Sequence, residues 1–215
     1  MSVSIKICGI SDEQNLQVAV AAGAGFVGFV HYPKSPRHVS IDRAAALKKL
    51  LLPTVKSVVV LVNPSDELLA EISANLQPDY IQLHGDESVE RVMEIRKLCP
   101  QIGIIKAISV KNSDDINHAD KFCDIADYIL FDAKPTNENM MHGGNGIAFD
   151  WNILAGANLP QKWFLSGGLN AGNVREAVRI TGAKMLDVSS GVERSAGVKD
   201  MELIRKFIKN AKYND

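Results

Sequence analysis

Eight times along this chain a short apolar run, rich in β-branched residues, gives way to more polar sequence. The runs lie at 5–8, 26–29, 57–62, 80–83, 102–108, 128–131, 163–165 and 185–188. Helical patterns follow them, clearest at 13–22, 43–51, 67–76 and 89–98 and weak at 113–119. In the first of these, Leu16, Ala19, Val20 and Gly23 recur at helical spacing and mark a one-faced helix. The runs themselves are nearly continuous rather than alternating, as strands are when helices cover both faces of a parallel sheet. No shift in composition and no Gly/Ser-rich linker divides the chain, so residues 1–215 read as a single domain. Eight strand–helix units closing on themselves make a (β/α)8 TIM barrel, an α/β fold, at the short end of its length range. An open, doubly wound sheet is the alternative, because counting units does not prove closure.

Charge and cysteine usage narrow the function. The formal net charge is −1, which leaves no basic field to hold nucleic acid or an anionic membrane surface. No apolar run approaches the roughly 18 residues of a membrane span, and the N-terminus lacks a basic-then-apolar signal layout. Cys8, Cys99 and Cys123 are odd in number and far apart, which suits a reducing cytoplasm better than a disulfide framework. Neither they nor His31, His38, His118 and His142 show metal-ligand spacing, so no metal site is expected. The expectation is a soluble cytoplasmic protein acting on a small molecule.

A barrel places its chemistry at the C-terminal ends of the strands. The first strand ends in Lys6-Ile7-Cys8-Gly9-Ile10. Ser11 with Gln14 forms a capping-box pattern, which sets a helix N-terminus near the thiol, where a thiolate is favoured. Read alone, Cys8 is better explained as a small buried hydrophobe. Strand alternation puts Lys6 on the same inner face, where it reads as an ion-pair partner below the site. Past the second strand, two prolines stiffen the segment presenting Arg37, which is either a solvated arginine or a two-pronged carboxylate ligand. His84 follows the fourth strand and reads as a hydrogen-bonding group lining the mouth. Asp132 follows the sixth. A carboxylate there is costly unless paired, hydrogen-bonded or protonated, so it is a helix cap, a partner of Lys134 or a general acid.

Glycines gather in the last third. Gly143-Gly144-Asn145-Gly146 comes after the sixth run, Ser166-Gly167-Gly168-Leu169-Asn170 after the seventh, and Asp187-Val188-Ser189-Ser190-Gly191 with the eighth. Barrel enzymes often bind phosphate between the loops after strands seven and eight and a short extra helix, because glycine lets backbone N–H groups approach the anion. One such turn is ordinary. Two at these strand ends point to a phosphorylated substrate.

Taken in order, KICGI at 6–10, GFVHYPKSPR at 28–37, QLHGDE at 82–87, the LFD ending at Asp132, GGNGIAFDW at 143–151, LSGGLN at 165–170 and DVSSGVE at 187–193 cover essentially the whole chain. Together they resemble the phosphoribosylanthranilate isomerase family of tryptophan biosynthesis. Asn145 stands where that family usually has Ser or Thr, and Ile147 where Lys or a polar residue is common. The resemblance implies an Amadori rearrangement with Cys8 as general base, Asp132 as general acid and Arg37 on the anthranilate carboxylate. It implies no cofactor, since no redox partner is consumed. Two other classes stay open: another barrel enzyme on a phosphorylated sugar, and a non-catalytic phosphate-ligand binder. Monomer and homodimer are both compatible with the sequence.

Overall fold

The computed structural model describes residues 3–133 and 150–212. Eight parallel strands close into one barrel in sequence order, so the open-sheet alternative is set aside. They are β1 (Ser4–Cys8), β2 (Phe26–Val30), β3 (Lys56–Leu61), β4 (Tyr80–Leu83), β5 (Gly103–Val110), β6 (Tyr128–Ala133), β7 (Trp163–Leu165) and β8 (Met185–Val188). Closure runs through β1 and β8, with Lys6 beside Asp187 and Ile7 beside Val188.

Alternation along the strands sorts residues into two apolar layers. Phe26, Val58, Ile105, Ala107, Leu130 and Phe164 fill the interior, and the rings of Phe26 and Phe164 meet edge to face at 5.3 Å. Further along the same strands, Val30, four residues past Phe26, and Val60, two past Val58, join Cys8 in a smaller cluster near the C-terminal mouth. Residues of opposite parity, such as Ile5, Ile7, Phe29 and Phe131, face outward and pack with Leu16, Leu47 and Ile95 of the helices. This outer layer makes the near-continuous apolar strands necessary.

Helices α1 (Glu13–Ala22), α2 (Ile41–Lys48), α3 (Asp66–Glu71), α4 (Val89–Leu98), α5 (Ser113–Ala119), α6 (Val174–Thr181) and α7 (Met201–Lys212) surround the barrel. Asp12 caps α1, not Ser11: its extended backbone lets the carboxylate accept from Asn15 N at 2.8 Å and from Asn15 Nδ2. A carboxylate caps as well as a hydroxyl and adds a charge the helix dipole favours. The stretch expected to be helical over 67–76 instead divides, with a π-helical turn at Ile72–Leu76 after α3. In the sixth unit the described residues contain only a 3-10 turn, Trp151–Ile153. A small antiparallel hairpin, β9 (Glu193–Ser195) with β10 (Val198–Lys199), interrupts the chain between β8 and α7 and stands outside the barrel.

Candidate active site

Cys8 ends β1 with its side chain inside the mouth, 6% exposed. Its neighbour in β2 is Gly28, and any side chain there would meet the thiol: an added Cβ would stand 2.9 Å from Cys8 Sγ and 3.2 Å from Lys6 Nζ. Gly28 is thus a site residue by omission. Below the thiol, Lys6 is fully buried and donates to Asp187 Oδ1 at 2.9 Å, while Ser166 Oγ donates to Asp187 Oδ2 at 3.4 Å. Burial pulls the Lys6 ammonium down, but Asp187 and Cys8 together outweigh it and the net shift is upward.

Burial pushes the Cys8 thiol up from its ordinary value, although the positive charges of Lys6 and Lys199 oppose that shift. The expectation of a thiolate favoured by the helix N-terminus is therefore corrected. Desolvation in a closed barrel mouth exceeds what neighbouring charges return.

The backbone turns at Gly9, whose φ of +79° suits glycine, and an added Cβ would stand 2.8 Å from Arg37 Cδ and 3.3 Å from Lys199 Nζ. Arg37 is buried, not solvated. It donates through Nε to Glu193 Oε1 and through Nη2 to Glu193 Oε2, both at 2.8 Å. Lys199 Nζ donates to the same Glu193 Oε1 at 2.7 Å, to Ser189 O at 2.9 Å and to Ser189 Oγ at 3.2 Å. Ser189 Oγ in turn donates to Cys8 O at 3.1 Å. Burial would raise Glu193, but Arg37 and Lys199 outweigh it and hold its carboxyl below the ordinary value. Neither Glu193 nor Lys199 was singled out from the sequence: nothing local marks Glu193 as the partner of an arginine 156 positions away, and Lys199 joins the site through Glu193.

Across the ring, three strands from β1, Asp132 sits near the end of β6, 4% exposed, with its Oδ2 3.3 Å from His84 Nε2. The other ring nitrogen, His84 Nδ1, lies 2.8 Å from Gln82 Nε2; with that amide nitrogen donating, the ring proton falls on Nε2 and donates to Asp132. Lys106, on the outer face of β5, holds the loop after β4: its ammonium donates to Gly85 O and Glu87 Oε2, both at 2.8 Å.

The glycine loops after β7 and β8 are brought together. Gly167 and Gly168 have φ of 84° and 68°, the left-handed region that favours glycine. An added Cβ on Gly191 would lie 1.9 Å from Leu169 O, so only glycine lets the turn Ser190–Val192 approach so closely. The Asn170 side chain is used within its own loop, where Oδ1 accepts from Gly172 N at 2.8 Å. Gly143 and Gly144 lie outside the described residues. Among those residues no cluster of His, Cys, Asp and Glu could hold a metal, and no helix is long and apolar enough to cross a membrane.

A buried thiol and a buried carboxyl on opposite arcs of one mouth can each give or take a proton, which places the protein among the acid–base (β/α)8 enzymes. Sequence and structural kinship narrow this class to one family. Residues 5–210 match the family model for N-(5'phosphoribosyl)anthranilate (PRA) isomerase. An N-(5'-phosphoribosyl)anthranilate isomerase of Rhodopseudomonas palustris (strain HaA2) is 48% identical over 209 residues, spanning 97% of this chain and 95% of that protein. The solved phosphoribosyl anthranilate isomerase of Thermotoga maritima superposes with a TM-score of 0.87 at 39% identity, covering 98% of both chains. A solved isomerase in complex with reduced 1-(o-carboxyphenylamino)-1-deoxyribulose 5-phosphate does so at 0.83 and 38%, again over 98% of both. The chain belongs to the phosphoribosylanthranilate isomerase family.

Proposed function

We propose that this chain converts N-(5'-phosphoribosyl)anthranilate to 1-(2-carboxyphenylamino)-1-deoxyribulose 5-phosphate, with Asp132 as general acid and Cys8 as general base. The observation that carries the assignment is their placement, two buried proton-transfer groups three strands apart at one barrel mouth. Asp132, protonated, gives its proton to the ribose ring oxygen as the C1'–O bond breaks and the anthranilate nitrogen forms an iminium. The Cys8 thiolate then takes the proton from C2', and its electron pair closes a C1'=C2' enolamine. Protonation at C1' and loss of the C2' hydroxyl proton leave the ketone. Oxidation at C2' is balanced by reduction at C1', so no cofactor is consumed.

The substrate's ends differ in chemistry, and so do the two sides of the mouth. Arg37 supplies a planar guanidinium for the aromatic carboxylate. The loops carrying Gly167, Gly168, Ser189, Ser190 and Gly191 supply backbone N–H groups for the phosphate. Gly143 and Gly144 would extend that end. Asp187 acts from beneath through Lys6, whose ammonium opposes the upward shift of the thiol.

The test is turnover of phosphoribosylanthranilate, followed as loss of substrate fluorescence. We expect turnover that Cys8→Ser and Asp132→Asn each abolish nearly completely. An inactive wild-type chain that still binds the product would instead support the phosphate-ligand binder.

A further inference from the structure

We propose that Glu193 is a positioning residue: with the β9–β10 hairpin it aims the Arg37 guanidinium at the substrate's aromatic carboxylate. The inference rests on the carboxylate-binding reading of Arg37 and extends it to a residue outside the barrel strands.

Arginine on a loop has several rotatable bonds, and a two-pronged grip on a carboxylate is useful only if the plane of the guanidinium is fixed beforehand. Glu193 fixes it. Both of its oxygens accept, from Nε and Nη2, and two parallel contacts at 2.8 Å define the plane as one contact would not. The edge turned to Glu193 is the Nε edge, so that edge is not the one offered to an incoming carboxylate. Both partners are buried, with side-chain exposures of 7% and 3%.

The carboxylate is itself held from two sides. Lys199 Nζ donates to Oε1, and Gly197 N donates to Oε2 at 3.2 Å. Gly197 has φ of +79°, and an added Cβ would come 2.4 Å from Pro36 O, so the hairpin tip lies directly on the Pro36–Arg37 backbone. The hairpin therefore fixes both the guanidinium and the chain that carries it. Nor does Glu193 cancel the positive corner. Lys199 directs its ammonium at acceptors on Ser189 and Glu193, so two cationic side chains share one carboxylate. An anion is still favoured there.

The experiment compares two ligands, the reduced product analogue with its ortho-carboxylate and the same molecule with hydrogen in its place. Their dissociation constants are measured on wild type, Glu193→Gln, Glu193→Asp and Arg37→Met. Wild type should prefer the carboxylated ligand by roughly tenfold or more, the size of one charge-assisted hydrogen bond. Glu193→Gln should lose most of that preference while binding the other ligand as before. Glu193→Asp keeps the charge but draws it back by one methylene, and should lose an intermediate part; it carries the test if Glu193→Gln does not fold. A Glu193 variant that weakens both ligands equally would make the residue merely structural and overturn the proposal. So would full preference in Glu193→Gln alongside lost preference in Arg37→Met. Preference retained in Arg37→Met would instead overturn the reading of Arg37 itself.

Discussion

On the β8–β1–β2 arc of the mouth the proposed base stands among charges: Lys6 on Asp187 beneath it, and Arg37 and Lys199 on Glu193 beside it. On the β4–β6 arc the proposed acid meets an imidazole, and the residue behind that imidazole is a neutral amide. The difference follows from what each group must do. A thiol in a closed, apolar mouth resists ionisation, so cations are needed nearby to make the thiolate accessible. A carboxylic acid needs a partner that takes or returns a hydrogen bond without neutralising it permanently. A lysine in that place would hold the carboxylate charged and remove the acid.

The sharpest way to break this contrast is to remove each proton-transfer group. Asp132→Asn keeps size and hydrogen bonding but transfers no proton, and kcat should fall by roughly two to four orders of magnitude. Cys8→Ser should lower it by at least about a hundredfold, because a hydroxyl is scarcely ionised near neutrality. Near-normal turnover in either variant removes that residue from the mechanism. For Asp132 the next acid to test is His84.

The pH profile sharpens the same comparison. Burial raises the Cys8 thiol above its ordinary value. Below the thiol pKa the thiolate fraction rises tenfold per pH unit, and above it the thiolate saturates. The bend of kcat/KM that belongs to Cys8 should therefore lie above about pH 8.5. Thiolate absorbance titrated on the same enzyme should share its midpoint; separate midpoints would detach the bend from the thiol.

Beneath the base, the Lys6–Asp187 pair is a liability as well as a device. Removing one member of a buried pair leaves the other uncompensated, so Asp187→Asn should cost about 3–5 kcal/mol in urea unfolding. Lys6→Met with Asp187→Leu should regain most of that stability, since apolar groups of similar volume replace a desolvated pair. Activity should not return, because the ammonium that opposes the upward shift of the thiol is gone. A double variant both stable and active would mean that the pair serves packing alone.

Which of these features could be read in advance depends on how far apart their residues lie. The places of Cys8 and Asp132 at strand ends were legible because strand parity and the end of an apolar run are local signals, whereas their roles as base and acid came only with the family resemblance. The eight runs were legible for the same reason, but closure was not, because counting units leaves an open sheet possible and only the β1–β8 pairing excludes it. The fork between Arg37 and Glu193 was not, since a turn-rich loop and a two-stranded hairpin meet only in three dimensions. Gly28 was missed because a strand glycine reads as weak packing until the thiol and ammonium beside it are placed. Ser11 and Asp12 are both good caps, and only the backbone angle at Asp12 decided between them.

The smallest expected effect lies on the acid side, in Gln82. Its amide nitrogen faces His84 Nδ1 at 2.8 Å, and its Oε1 is buried with no partner among the described residues. Half a turn of the amide would exchange the two atoms. With nitrogen on Nδ1, the ring proton sits on Nε2 and His84 donates to an ionised Asp132. With oxygen on Nδ1, that nitrogen must carry the proton, and Nε2 becomes an acceptor for a protonated Asp132. The two amide orientations therefore match the two proton states the acid passes through, before and after it opens the ring. Gln82→Leu removes this pairing without touching either catalytic group, and kcat should fall by only about three- to tenfold, the cost of one weakened hydrogen bond. Nitrogen NMR of His84 supplies the decisive reading: wild type should change tautomer between Asp132 and Asp132→Asn, whereas Gln82→Leu should show a mixture in both backgrounds. One fixed tautomer throughout would mean that the amide follows the imidazole passively and that the acid side needs no switch at all.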